Sequence, residues 1–334
     1  MGSMGNLLVT GGAGFIGSNF VLRHKELHPD DTIVVLDALR EGSDKCLLDP
    51  IIGRIRFVEG DITNIELVSK LILGHEISTI VNFAAETHVD RSITNAAPFI
   101  HSNILGVQSL IEVCRHAPNV RLLHISTDEV YGDVSDDDPG KIVGSALYPS
   151  SPYAATKAAA EMLLLAAMRT YKIHCCITRC TNNYGPHQAS EKFVPTVIRS
   201  ALAGKPIPIY GQGKNKRDWL YVTDHCDALE LILQTDWAFW DSEVPGVDPS
   251  QPKGSGHLFN VSANDEHANI DVAKMILKIL DKPESLLNFV ADRPGHDWRY
   301  AVDSRPIRKL GWQPKVNFEE GLRKTVEWYA KCKC

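Results

Sequence analysis

Short apolar runs alternate with amphipathic stretches through the first 180 residues. Leu7–Thr10, Thr32–Leu36, Ile55–Val58, Thr79–Phe83, Leu122–Ile125 and Ile173–Thr178 are mostly apolar and four to six residues long, the pattern of strands buried on both faces. Between them, residues 15–27, 64–73, 97–117 and 154–171 space their apolar positions as helices do. Such alternation predicts the α/β class, a Rossmann-type doubly wound parallel sheet. Right-handed crossovers then bring the carboxyl ends of the strands to one edge, where ligands bind.

Beyond residue 180 the rhythm breaks. Thr181–Pro186 interrupts it, and basic residues follow, dispersed among Pro and Gly. Residues 236–256, rich in Pro, Gly and Ser, read as a long loop, and Phe318–Lys331 as an amphipathic helix. A boundary therefore falls near residue 180, between a nucleotide domain over 4–180 and a second region over 181–330.

Composition narrows the partners. With 334 residues, 44% hydrophobic and 23% charged, the chain can bury a large core. A net charge of −6 supplies no basic field for nucleic acid or an anionic membrane, and no apolar run approaches the roughly 18 residues of a membrane span. The eight cysteines lack metal-ligand spacing, so no metal is expected and reduced thiols in the cytoplasm are.

Candidate chemistry sits at the ends of the strands. The first runs into Gly11, then Gly12-x-Gly14-x-x-Gly17, glycines that permit a tight turn and close approach of a pyrophosphate to the helix N-terminus. Asp37 closes the second strand, twenty residues beyond Gly17. A carboxylate there bonds a ribose and repels a 2′-phosphate, favouring NAD, although Arg40 follows three residues on. After the Leu122 strand comes Thr127-Asp128-Glu129, a hydroxyl and two carboxyls which alone read more readily as a helix cap than as a catalytic site. Tyr153 and Lys157 lie four apart on a helix face, where an ammonium favours the phenolate. Arg217 and Arg293 offer paired donors suited to a diphosphate.

Together these residues resemble the extended short-chain dehydrogenase/reductase superfamily and, within it, the nucleotide-sugar 4,6-dehydratases. The resemblance runs from Thr10 to about Tyr329. Beyond the glycine loop and Tyr153-x-x-x-Lys157, it rests on Phe83–Ser92 (FAAETHVDRS), Ser126–Gly132 (STDEVYG), Thr178–Pro186 (TRCTNNYGP), Arg217–Val222 (RDWLYV) and Asp292–His296 (DRPGH). It implies NAD-dependent loss of water from a nucleotide hexose, dTDP-glucose first, with UDP-glucose or another nucleotide hexose as the alternative. The Asp128-Glu129 pair speaks against a nucleotide-sugar epimerase. Retention of Thr127, Asp128, Glu129, Tyr153 and Lys157 speaks against a non-catalytic NAD-sensing protein.

The resemblance assigns Tyr153 as the redox base with Lys157, Asp128 as acid, Glu129 as base and Thr127 near the sugar O4. It implies cofactor contacts from Gly11, Gly12, Gly14, Phe15, Ile16, Gly17, Asp37, Asp61, Ile62, Phe83, Ala84, Ala85, Ser102, Tyr153, Lys157 and Asn183. The sugar nucleotide would meet Thr87, Thr127, Asn182, Lys192, Phe193, Pro208, Tyr210, Arg217, Asn260, Arg293 and His296. It further implies that residues of roughly 215–260 return to the nucleotide domain, that the discontinuous 181–330 region is a smaller α/β substrate domain, and that two copies pair through nucleotide-domain helices. Asp37–Gly42 (DALREG) departs from the Leu-Thr-Tyr-Ala-Gly common after the Asp, and Thr87 and Thr181 replace Ser with the hydroxyl kept.

Overall fold

The computed structural model describes residues 5–235, 237 and 258–331; all of the loop expected over 236–256 except Trp237 lies outside them. Six strands arrive in the predicted alternation: β1 (Asn6–Thr10), β2 (Ile33–Asp37), β3 (Arg56–Glu59), β4 (Ile77–Asn82), β5 (Arg121–Thr127) and β6 (His174–Cys180). Three strands, β7 (Asn182–Tyr184), β8 (Ile207–Tyr210) and β9 (Lys216–Tyr221), lie elsewhere before β10 (Leu258–Val261) returns to pair with β6. The result is one parallel sheet in the order β10-β6-β5-β4-β1-β2-β3. Its strand order reverses between β1 and β4, which opens a crevice at their carboxyl ends.

Helices cover both faces, as strands without a polar side require. In chain order they are α1 (Phe15–Leu27), α2 (Ile65–Gly74), α3 (Val89–Thr94), α4 (Ala97–Phe99), α5 (Gly106–His116), α6 (Pro152–Tyr171), α7 (Phe193–Leu202), α8 (Val222–Gln234), α9 (Asn269–Ile279), α10 (Arg305–Lys309) and α11 (Phe318–Lys331). One core cluster joins α1 and α8 to the sheet through Phe20, Val21, Leu229 and Ile232; the other joins α2, α5 and α6 through Val68, Leu110 and Leu164. The helix expected over 97–117 is divided. Between α4 and α5, Ile100–Leu105 widens into a π-helical segment, a feature that often accompanies functional sites.

A polar staple also ties α1 to α8. His24 Nδ1 lies 2.8 Å from Glu230 and Nε2 3.3 Å from Asp31. His24, His28 and Glu230 bring potential ligand atoms within 4.8 Å of one another, but both nitrogens of His24 already face carboxylates, the arrangement of a buried hydrogen-bonded network.

The second lobe is built from β7, β9 and β11 (Glu266–Ala268) in one small sheet, and from β8 with β12 (Leu287–Val290) in another. Helices α7, α9 and α11 close over Tyr184, Trp219, Ile276 and Leu322. The stretch expected to return to the nucleotide side is split by the fold. β9 stays in the small sheet, whereas α8 and β10 join the large one, as do Ile307 and Trp312 from far downstream.

Candidate active site

The crevice is one continuous cavity whose floor is set by glycine. Gly11 adopts φ +69, and a Cβ there would come 2.5 Å from Ala84 N; at Gly17 a Cβ would come 2.2 Å from Gly11 O. Only chains without side chains at these points can turn so closely under a ligand. Asp37 accepts from Ala13 N and Leu39 N at 2.9 and 2.8 Å, which fixes its carboxylate at the mouth of the loop. Gly14, Phe15, Ile16, Asp61, Ile62, Phe83, Ala84, Ala85, Ser102 and Asn183 line the same cavity. Gly12 packs on Val35 beneath it.

Arg40, which the sequence set against Asp37, is spent elsewhere. Its guanidinium bonds Asp61 at 2.6 Å and Ser102 at 2.9 Å and lies 3.5 Å from Glu86. It thereby joins two of the expected cofactor contacts across the adenine-side edge.

Thr127 ends β5, and a single 3-10 turn over Asp128–Tyr131 follows, with the Thr127 side chain accepting from Glu129 N. The capping role expected of such a residue is therefore present, and the acidic pair is present with it. Asp128 is 3% exposed, and its Oδ2 has no hydrogen-bond partner. Burial, then the charges of Glu129 and Asp218, push this carboxyl well above the carboxylate range. Glu129 is half-buried. Burial raises it as well, but Arg217, Lys192 and Arg293 pull in the opposite direction. Adjacent in sequence, the two carboxyls are driven apart by their surroundings.

Helix α6 delivers the other half. Ser151 caps it by accepting from Ala154 N, and Pro152 opens it, so Tyr153 sits in the first turn and Lys157 one turn on. Ser92 accepts from Tyr153 N at 3.1 Å and holds that turn against α3. The Tyr153 phenol is raised well above its usual value by burial, then by Glu129 and Cys180, with its hydrogen bond to Thr127 acting the other way. The expected depression by Lys157 is not among the influences on this phenol. Lys157 Nζ donates instead to Ile125 O at 2.7 Å, and burial lowers it to about 8.

Of the residues expected to hold substrate, Thr87, Thr127, Asn182 and Lys192 line the cavity, with Lys192 Nζ donating to Thr87 O at 2.8 Å. Beyond them, Arg293 lies over the Tyr210 ring, His296 meets that ring edge-on, and Asp90 pairs with Arg293 at 2.6 Å. Arg217 is buried over Tyr300 and donates to the carbonyls of Lys216, Asp297 and Trp298. Pro208 is exposed on β8, and Phe193 packs toward Trp219. Asn260 is placed differently. It is fully buried in β10, and its amide is taken by Tyr131 OH, Lys141 O and Asp303 O, so the fold uses it to anchor a strand away from the cavity.

Several supporting residues were not read from the sequence. Asn103, in the π-helical segment, bonds both the N–H and the C=O of Glu86 and also Thr156. Glu161 and Arg179 form a buried pair at 2.5 Å that also holds Ser126 and Tyr131. Arg179 lies inside the TRCTNNYGP stretch and Asp90 inside FAAETHVDRS, which was the available signal.

Known proteins resemble this chain along nearly its whole length. A dTDP-glucose 4,6-dehydratase of Mycobacterium tuberculosis is 44% identical over 326 residues, 97% of this chain and 92% of that one. An Arabidopsis thaliana trifunctional UDP-glucose 4,6-dehydratase/3,5-epimerase/reductase is 43% identical over 98% of this chain and 47% of its own length. The solved structure of a dTDP-glucose 4,6-dehydratase from Streptomyces venezuelae, with NAD bound, superposes with a TM-score of 0.88 at 39% identity, covering 98% of this chain and 97% of that one. The family model for GDP-mannose 4,6 dehydratase matches residues 8–325, and the chain belongs to that family.

Proposed function

We propose that this chain converts dTDP-glucose to dTDP-4-keto-6-deoxyglucose, using NAD that is regenerated within each cycle. The observation that carries the reading is the placement of Asp128 and Glu129 on the wall of the cavity that holds Tyr153 and the glycine cradle. A dehydrogenase needs only the last two. A neutral acid beside a charged base adds elimination.

The cradle, where a Cβ would strike backbone, and the anchored Asp37 carboxylate suit a dinucleotide. NAD held there would supply reversible hydride transfer, from C4 and back to C6. Tyr153 removes the proton from O4, with Thr127 hydrogen-bonded beside it. The 4-keto group acidifies C5–H, which Glu129 takes. Asp128 gives its proton to the departing C6 hydroxyl, completing loss of water, and C5 is reprotonated after hydride returns. Lys192, Thr87 and Asn182 hold the sugar side, and Arg217 with Arg293 clamps the diphosphate.

UDP-glucose is a second reading, supported by the nearly equal identity to the Arabidopsis enzyme, 43% against 44%. Thymine and uracil differ by a methyl group worth about 1–3 kcal/mol in a pocket. Purified protein given dTDP-glucose or UDP-glucose should form a product with the alkali-induced absorbance of a 4-keto sugar. No product from any hexose nucleotide would overturn the reading.

The protein acts as a homodimer in this proposal. Ile100, Leu105 and Met162 are exposed apolar residues on neighbouring helices of the nucleotide side, a surface suited to a second copy. No helix among the described residues is long and apolar enough to cross a membrane. Cys114, Cys175, Cys176, Cys180 and Cys226 are buried free thiols, which fits a cytoplasmic enzyme.

A further inference from the structure

Three polar side chains occupy one row of the parallel sheet. Thr10 pairs with Asn82 in register between β1 and β4, and Asn82 pairs with His124 between β4 and β5. They are 0%, 1% and 1% exposed. Central parallel strands are ordinarily apolar on both faces, so such a row costs desolvation unless every member is bonded. It is bonded from end to end. Thr10 Oγ1 lies 2.6 Å from the Asn82 amide, that amide 2.9 Å from His124 Nδ1, and His124 Nε2 3.4 Å from Lys157 Nζ.

The direction of these bonds follows from the last contact. An ammonium only donates, so with Lys157 charged Nε2 must carry a lone pair. The single imidazole hydrogen then sits on Nδ1. Nδ1–H needs an acceptor, so Asn82 must present its oxygen to the ring and its NH2 to Thr10. As placed, the amide nitrogen faces Nδ1, but a half-turn of the side chain exchanges oxygen and nitrogen with almost no change in shape. The alternative puts Nε2–H against Lys157 and suits only a neutral amine.

We propose that His124 is a positioning residue for the redox base. It accepts a hydrogen bond from the Lys157 ammonium, and Asn82 and Thr10 hold its ring in the one tautomer able to do so. The row keeps Lys157 both fixed and charged beneath Tyr153. Other groups facing Lys157 are Glu161 and Cys180. Glu161 is engaged with Arg179 and Ser126, and the Cys180 thiol, raised to about 12 by burial, stays neutral. His124 itself stays uncharged, because burial and the neighbouring ammonium both oppose its protonation.

This inference rests on the dehydratase reading for its kinetic consequence, so the experiment has two arms. In the first, nitrogen-15 NMR of histidine-labelled wild-type protein, and of Lys157→Met, reads the His124 tautomer without any turnover. The proton is expected on Nδ1 in the wild type near pH 7, with the Nε2 signal moving in Lys157→Met; a proton on Nε2 in the wild type would overturn the proposal. In the second, NAD reduction in a single turnover is followed against pH for wild type, His124→Leu and His124→Gln. His124→Leu should move the alkaline limb down by roughly half to one pH unit, and His124→Gln, whose amide oxygen can accept, should restore it. An unmoved limb in His124→Leu also overturns the proposal. Failure of the wild type to reduce NAD with any hexose nucleotide would instead refute the dehydratase reading, leaving the NMR arm to decide this one.

Discussion

Asp128 turns an unpartnered Oδ2 into the protein interior, while the next carboxylate, Glu129, lies in the field of Arg217, Lys192 and Arg293. Both carboxyls are raised by burial, Asp128 the further, which suits Asp128 to donate a proton and Glu129 to accept one. Glu129→Gln should retain NAD reduction by the substrate while C5 proton exchange with deuterium oxide falls by roughly 10²–10⁴-fold. Asp128→Asn should spare both steps and lose the 4-keto-6-deoxy product by a similar factor. Wild-type exchange in Glu129→Gln would reverse the assignment.

Arg217 acts on Glu129 through space, besides the diphosphate contact proposed for it. Removing it as Arg217→Met takes away a charge that lowers the Glu129 carboxyl, so that carboxyl rises. A base is active above its own titration, so the acid limb of the C5 exchange should move to higher pH. KM for the nucleotide sugar should rise roughly ten- to hundredfold as charged hydrogen bonds to phosphate are lost. Steady-state kinetics across pH measures both effects.

Lys157, lowered by burial to about 8, is charged below that pH and neutral above it. If the ammonium is the form that assists Tyr153, kcat/KM should fall along an alkaline limb near pH 8. Lys157→Met should abolish that limb along with most of the rate. A pH-independent rate through pH 9 in the wild type would contradict this role.

The Glu161–Arg179 pair is almost wholly out of water, at 0% and 2% side-chain exposure. Arg179→Met would leave Glu161 charged and unpaired, at a cost of about 3–5 kcal/mol. Urea unfolding should read that loss directly. The double variant Glu161→Leu/Arg179→Met should recover much of it, since an apolar pair needs no charge compensation.

If the proposed homodimer forms through this surface, replacing Leu105 and Met162 together by Glu should convert it to a monomer. Sedimentation velocity measures the change, and an unaltered coefficient would place the contact elsewhere.

The nucleotide side was legible because its signals are local. β1 and β2 announce themselves by unbroken apolar runs, and Gly11 to Gly17 by a turn that only glycine can make. β7 and β11 are three residues each and gain their identity from partners distant in sequence, such as Asn182 with Trp219. No periodicity marks them. Asn260 was assigned to the substrate by resemblance alone; β10 buries it, with its amide bonded to Tyr131, Lys141 and Asp303. His124 could not be read at all, since one histidine in an apolar strand has no meaning until Asn82 and Lys157 are found on either side.

β10 seals the outer edge of β6, and the cluster under α1 gathers residues from Leu7 to Trp312. During synthesis, a ribosome that has delivered only the first six strands has therefore made a nucleotide domain with an unpaired edge and a bare apolar face. Such intermediates are prone to aggregate, and native pairing at this edge must wait until β10, ending at Val261 of 334 residues, has been made. Fragments ending near residue 180 should accordingly be insoluble, and the protein should depend on chaperones more than its ordinary composition suggests.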